Sequence, residues 1–410
     1  MPKISKILLL SVSVVLVLTV FLGVNASGVS AATDDQDGAY RQINVYSEVL
    51  RHIQTDYVEE PNIPTVTNGA LRGLLESLDS DSSYLTPEDY KAYKADKGGK
   101  AQVGINVSKR WGYATVVSVV PGSPADKANL NDGFDDVAIG TQDTRDISLA
   151  MIRMLLEGAP GSELSISVVR PRKAAPEKVT MTRAVTSMPP VTETMYENSS
   201  ILYLKPGVLD HEHVQQVESK LKGMQKAGNK KILLDLRDVA AGDNTEAMRM
   251  ANFLLKSGTI ATLEGQKVEK QTFAAESSKS INTTSPVVVL VNRGTAGPAE
   301  IVAAALMDNK RADLVGEKTF GEGSQQKTFE LPDGAALVLS VAKYESPSGK
   351  KLEDEGVTPG IQVASNIDDN GPVDEDATTP ESQQPETKKP SVSVDEQLNK
   401  ALDLLKSKAA

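Results

Sequence analysis

Apolar residues first recur at helical spacing, with Ile43, Tyr46, Val49, Leu50 and Ile53 followed by Leu71, Leu74, Leu75 and Leu78. A three-to-four-residue rhythm places them on one stripe of a helix and predicts a small helical N-terminal segment over residues 32–97. The texture changes at Gly98 and Gly99. Short apolar runs at 103–107, 114–119 and 164–169, with a helix-like run at 149–156, predict a β-rich module over 98–185. Ser187, Met188, Pro189 and Pro190 read as a linker. Beyond them come a strand at 201–204, an amphipathic helix at 212–226 capped by Asp210 or His211, and near-continuous apolar runs at 232–236 and 287–291. Such runs belong to strands covered on both faces, so residues 186–365 read as an α/β layer domain. Residues 366–390 are rich in Asp, Glu, Pro, Thr and Gln, too polar to bury anything, and read as a disordered acidic linker. Residues 391–410 close the chain with a helix near 394–405. The fold class is multidomain α+β.

Composition sharpens this picture at three points. Lys3 and Lys6 precede an uncharged apolar run at 7–24, followed by Val29, Ser30, Ala31 and Ala32. That is an export signal over residues 1–31, cleaved after Ala31 or retained as an anchor just long enough to cross a bilayer. The absence of cysteine leaves no disulfide, thiolate metal site or cysteine nucleophile and suits a bacterial cell envelope, whether periplasmic, secreted or membrane-anchored. A net charge of -11 argues against a nucleic-acid partner, because phosphate binding needs clustered Lys and Arg.

Several strings in fixed order carry a resemblance. Leu78-Asp79-Ser80-Asp81-Ser82-Ser83-Tyr84-Leu85-Thr86-Pro87 is followed by Val120-Pro121-Gly122-Ser123-Pro124-Ala125, Leu234-Asp235-Leu236-Arg237 and Val289-Leu290-Val291-Asn292. Ala299-Glu300-Ile301-Val302-Ala303, Gly316-Glu317-Lys318-Thr319-Phe320-Gly321 and Ser346-Pro347-Ser348-Gly349 complete the series. Together they resemble the carboxyl-terminal processing, or tail-specific, peptidases. In that family the first string reads Leu-Asp-Pro-His-Ser-x-Tyr-Leu-Thr-Pro, so Ser80 and Asp81 depart from it. The resemblance spans roughly residues 40–363 and implies a PDZ module ahead of a crotonase- or ClpP-like α/β core. It also implies cleavage of proteins near their C-termini, with the PDZ module delivering the tail. A tail adds to a strand edge and its carboxylate is held by backbone N–H groups of a Gly-containing loop. Val103, Gly104 and Ile105 stand where that loop falls, although Gly104 could simply permit a tight turn. Asp135 and Asp136 replace the usual Gly-Asp turn.

The same resemblance locates the catalytic positions, and their occupants cannot perform the chemistry. Ser/Lys hydrolysis needs an attacking hydroxyl, an unprotonated lysine and oxyanion donors. The nucleophile position holds Gly297, followed by Pro298, which has no backbone N–H to offer an oxyanion. Gly297, Pro298 and Glu300 also make a well-formed helix start. The lysine position holds Glu322, of opposite charge, while Gln326 matches the glutamine that supports the lysine. In the oxyanion loop Ala241 replaces a glycine and only Gly242 is kept, so the backbone path should differ.

Alternatives exist for other chemistry. Thr295, Ser324 and Lys318 could form a rewired dyad, and Glu322 could activate water, although no partner acid is evident at its loop. Asp210-His211-Glu212-His213 lacks the spacing that puts two imidazoles on one helix face, so no metal and no cofactor is expected. Trp111 reads as packing in a hairpin. The expectation is an exported pseudoprotease that binds protein C-terminal tails or an envelope protein, touching membrane only through an uncleaved signal anchor, and able to form a homo-oligomer. The alternative is a serine-type endopeptidase working by an altered mechanism.

Overall fold

The structure is a computed structural model and describes residues 33–95, 101–110, 112–130, 135–140, 142–169, 175–224, 226–365 and 394–408. The expected export signal at 1–31, Trp111 and the acidic linker at 366–390 lie outside the described residues. The chain forms two compact units, 1–70 and 71–410. The first contains α1 (Thr33–Asp56), with Tyr40, Ile43, Tyr46 and Val49 exposed, and the start of α2 (Ile63–Glu76). Asn62 opens α2 by accepting from the Thr65 amide at 3.1 Å, as helix-capping side chains do.

In the second unit β1 (Ser83–Leu85) leads into α3 (Pro87–Ala95). A β-rich module follows, comprising β2 (Ile105–Arg110), β3 (Tyr113–Val119), α4 (Pro124–Lys127), β4 (Asp135–Ile139), β5 (Gln142–Asp143), α5 (Leu149–Leu156), β6 (Glu163–Val169) and β7 (Glu177–Thr182). Its six-stranded sheet runs β2-β3-β4-β6-β7, with β5 paired to β4, and β2 forms one outer edge. Val107, Val116, Ile152, Ile166 and Met181 fill its core. The first strand starts at Ile105 rather than at Val103. Gly104 adopts φ +85°, and a Cβ there would come within 2.3 Å of the Ser123 Cβ, so the path bends before pairing begins. Asp135 and Asp136 open a strand rather than forming a turn.

The rest of the unit is layered. It comprises β8 (Thr192–Tyr196), β9 (Ile201–Lys205), α6 (His211–Gly223), β10 (Lys231–Asp235), α7 (Asn244–Leu254), β11 (Thr259–Glu264), β12 (Gln271–Ala274), β13 (Val287–Val291), α8 (Pro298–Asp308), β14 (Asp313–Gly316), β15 (Ser324–Glu330), β16 (Ala336–Glu345), β17 (Ile361–Gln362) and α9 (Glu396–Ser407). One sheet runs β17-β14-β13-β10-β9-β8, parallel except for β8. Side chains alternate across a strand, so Leu202, Ile232, Leu234, Val287 and Val289 meet α6, α7 and α8 on one face. Ile201, Leu233, Val288, Leu290 and Val315 meet Ala401 and Leu405 of α9 on the other. That double covering explains the unbroken apolar runs. A second, antiparallel sheet runs β1-β16-β11-β12, with β15 also paired to β16.

α9 is held electrostatically as well. The Lys231 ammonium donates to the carbonyls of Leu405 at 2.7 Å and Lys408 at 2.6 Å, satisfying acceptors that a helix end leaves open. Arg237 bridges Asp235 at 2.7 Å and Asp395 at 2.9 Å, and Asp395 caps the helix through the Leu398 amide at 2.9 Å.

Candidate active-site cleft

β13 ends in a polar turn that leads into Gly297, which is buried at the wall of a cavity. The buried Thr295 hydroxyl donates to the Leu236 carbonyl at 2.8 Å and accepts from the Asn292 amide at 3.0 Å, which fixes the turn. Gly297 adopts φ +56° and ψ −118° with nothing within 4 Å of where a Cβ would stand. Pro298 then starts α8. The position that the family resemblance assigns to the nucleophile therefore leaves room for a Cβ, on a strained backbone that glycine tolerates.

The neighbouring loop is tied to this turn by one carboxylate. Glu300, fully buried, accepts from the amides of Gly297 at 2.9 Å, Gly321 at 2.8 Å and Glu322 at 2.8 Å, and from the Thr319 hydroxyl. Burial pushes its carboxyl up to about 7, with the four donors opposing. The amides of Gly297 and Glu322 thus meet at one oxygen, Oε2 of Glu300, and both residues line a cavity of about 630 Å³. The two loops face a cleft and have not collapsed on each other.

Glu322 is not alone in that cleft. Arg153, from α5 of the β-rich module, donates to Glu322 Oε1 at 3.1 Å and to the Val107 carbonyl at 3.2 Å. Burial raises the Glu322 carboxyl, Arg153 draws it down and the charge on Asp81 raises it again. Glu353 lies beyond, accepting from the Gly323 amide at 2.6 Å. Burial first, and Asp81 second, push its carboxyl up to about 8. The expectation that Glu322 has no partner acid is therefore corrected. Asp81 acts on it from a segment far away in sequence and acts on Glu353 as well, and all three line a second cavity of about 830 Å³, with Glu322 bordering both.

Asp81 also decides the fate of two other candidates. Its Oδ2 accepts from the Ser324 hydroxyl at 2.6 Å, and its carbonyl accepts from Gln326 Nε2 at 2.9 Å. Gln326 thus anchors the turn at 79–83 rather than a lysine. Thr295 is fully buried and spends its hydroxyl on backbone, so it cannot attack a substrate. Lys318 lines the larger cavity, away from the 630 Å³ cleft.

In the loop that the resemblance matches to the oxyanion loop, the positive φ values fall on Asp238 at 63° and Gly242 at 140°, not on Ala241. The Ala241 carbonyl accepts from the Leu209 amide at 3.0 Å, and a Cβ on Gly242 would strike the Leu209 carbonyl at 2.5 Å. Both its positive φ and this close packing therefore call for glycine at 242. In the peptide-loop candidates, Val103 and Ile105 are buried in the module's core, so only backbone remains to contact a ligand. The carbonyls of Val103 and Gly104 already accept from Ala125 at 2.9 Å and Val120 at 2.8 Å. Ile105 nevertheless lines the cleft with Asn106, Val107, Arg153 and Leu156, which puts the β2 edge beside Gly297 and Glu322.

Asp210-His211-Glu212-His213 is a helix start. Asp210 accepts from the His213 amide at 2.8 Å, while His213 Nε2 lies 3.1 Å from the Pro189 carbonyl. Among the described residues no group of three His, Cys, Asp or Glu is placed to hold a metal ion. Four residues that shape the site, Asp81, Arg153, Glu300 and Glu353, went unassigned from sequence. A single arginine in the apolar run Leu149-Ala150-Met151-Ile152-Arg153-Met154-Leu155-Leu156 is a local signal for Arg153, as the departure at Asp81 and the helix-start position of Glu300 are for those residues.

A parallel α/β sheet with a β-rich module beside a cleft at the end of β13 defines the peptidase class to which this chain's fold conforms. Residues 200–363 match the model of peptidase family S41. The chain is 32% identical over 364 residues to the carboxyl-terminal-processing protease of Picosynechococcus sp., covering 85% of this chain and 87% of that one. It is 27% identical over 370 residues to the carboxy-terminal processing protease CtpA of Bacillus subtilis, covering 88% and 77%. The solved structure of a photosystem II D1 C-terminal processing protease superimposes with a TM-score of 0.66 at 24% identity, covering 78% of this chain and 92% of that one. The chain belongs to the carboxyl-terminal processing serine peptidase family.

Proposed function

We propose that this chain is an exported pseudoprotease that grips protein C-terminal tails without cutting them, acting as a scaffold or adaptor in the cell envelope. The observation that carries the reading is the pairing of an intact cleft with emptied catalytic positions. Gly297 and Glu322 still face the cavity, yet no side chain at 297 can form an acyl-enzyme, and Pro298 has no N–H to donate. The β-rich module is read as a PDZ module. Its outer strand β2 and helix α5 flank the cleft, the arrangement by which an extended peptide adds to a sheet edge. The α/β layer is read as the crotonase-like core of the family, and the run at 7–24 as the export signal or anchor.

Titration of the purified chain with peptides ending in free carboxylates tests the reading. Saturable binding that a C-terminal amide weakens supports it, and no binding by any tail overturns it.

One observation favours a second reading, a peptidase with altered chemistry. The Ser324 hydroxyl lies on the cleft wall, hydrogen-bonded to Asp81. Cleavage lost on Ser324→Ala would establish that mechanism.

A further inference from the structure

α1 (Thr33–Asp56) carries a repeat that its own chain leaves unused. Ala39, Ile43, Tyr46, Leu50 and Ile53 recur in steps of four, three, four and three, and Tyr57 continues the series just past the helix end. That average of 3.5 residues is the period of a seam that meets a second helix, where apolar side chains seat in holes of a partner with the same spacing. The charges keep clear of the seam. Arg41, Glu48, Arg51 and His52 fall on the opposite face of the helix, and Arg51 and His52 reach Glu48 at 2.6 and 3.2 Å. The positions that flank the seam, Tyr40, Gln42, Ser47, Val49 and Gln54, are uncharged. Asp56, at the helix end, is a charged flank, and His52 lies 2.5 Å from it.

Every residue from Tyr40 to Val49 is exposed, Ile43 by 56% and Tyr46 by 50%, and Leu50 and Ile53 are only partly buried. A helix of 24 residues left in water with its apolar stripe open is marginal, because packing of that stripe supplies most of a helix's stability. A bilayer surface is a poor cover for it. Residues 33–60 hold the acids Asp34, Asp35, Asp37, Glu48, Asp56, Glu59 and Glu60 against Arg41 and Arg51, and helices that lie on anionic lipid need the reverse balance. We propose that α1 pairs with α1 of a second copy in a two-stranded coiled coil, which makes the protein a homodimer. At 1.5 Å per residue the helix is roughly 36 Å long. Burying a stripe of that length takes roughly 600 Å² from each copy, and the pair then reaches the roughly 1,200 Å² at which stable interfaces begin. The uncharged flanks meet across the seam, so from Tyr40 to Gln54 no like charges oppose each other in either orientation.

Sedimentation equilibrium of the full chain, in a mild detergent that keeps the apolar run at 7–24 dispersed, tests the proposal. The chain should behave as a reversible dimer with a micromolar or tighter dissociation constant. Tyr46→Lys together with Leu50→Lys sets four ammonium groups in the seam and should raise that constant by about a hundredfold or more, with the thermal melt of the α/β layer unchanged. Glu48→Ala, on the outer face, should leave the constant as it is. Because the chain has no cysteine, a second measurement needs no charge in the seam. Oxidation of a mixture of Tyr46→Cys and Leu50→Cys chains should link copies far faster than oxidation of Glu48→Cys chains. A chain that stays monomeric at high micromolar concentration overturns the coil, including one whose α1 face binds phosphatidylglycerol vesicles instead. A dimer that survives the lysine pair, or seam cysteines that link no faster than Glu48→Cys, overturns it as well.

Discussion

The Cβ of a serine placed at 297 would meet no heavy atom within 4 Å, yet the residue would inherit φ +56° and ψ −118°. Room for a Cβ is therefore not the obstacle to a side chain there; backbone strain is, at about 1–3 kcal/mol for a non-glycine residue. Gly297→Ser should lower the unfolding free energy by about that amount in urea titration. Combined with Glu322→Lys it should still give no cleavage of an unstructured protein substrate, because Pro298 withholds the adjacent N–H. Glu300 carries the opposite weight. It accepts three backbone amides and one hydroxyl, and removing a charged acceptor from such a network costs about 1.5–3 kcal/mol per bond lost. Glu300→Ala should therefore be among the most destabilising single changes in the chain, and it should loosen the 297 turn and the 321–322 loop together, read as faster amide exchange at both.

At the scale of elements, α9 is the clearest case of a long-range closure. Leu405 is fully buried against the strand face formed by Leu233, Val288 and Leu290. Leu405→Ala should cost about 2–5 kcal/mol and depress the melting temperature of the whole α/β layer rather than unravel one helix. Much of this architecture is legible in the sequence. The runs at 232–236 and 287–291 announce strands covered on both faces, and Asp210 and Gly297-Pro298 mark the starts of α6 and α8. Strand β2 was misplaced because Gly104 takes a left-handed bend whose reason, contact with Ser123, lies nineteen residues on. The acidic companions of Glu322 were invisible for the same kind of reason. Asp81 and Glu353 arrive by sheet pairing and loop closure, and no local spacing records either. The identities at 297 and 322, in contrast, are read directly from the sequence, since the absence of a side chain at 297 needs no neighbours to be seen.

Across the whole molecule, two carboxyl groups protonate far more readily folded than unfolded, and this sets a pH dependence. Burial raises Glu300 to about 7 and Glu353 to about 8, above the ordinary 4.5. A carboxyl raised in the folded state contributes stability that is fully present below pH 4.5 and is lost as pH rises through 7 and 8. Unfolding free energy measured from pH 4.5 to 8.5 should therefore decline from these groups, and Glu353→Gln should flatten its share of that decline. Arg153 joins the β-rich module to the 321–323 loop through Val107 and Glu322, so Arg153→Ala should leave all three sheets folded while weakening tail binding several-fold in titration.

The most direct test combines binding and fate in one sample. The purified chain is mixed with a tail peptide at saturating concentration, occupancy is confirmed by calorimetry, and the peptide's intact mass is followed by mass spectrometry over many hours. A pseudoprotease leaves the bound tail at full length indefinitely. Shortening of the tail that persists through repurification and disappears with Ser324→Ala or Glu322→Gln would show that the cleft still cuts.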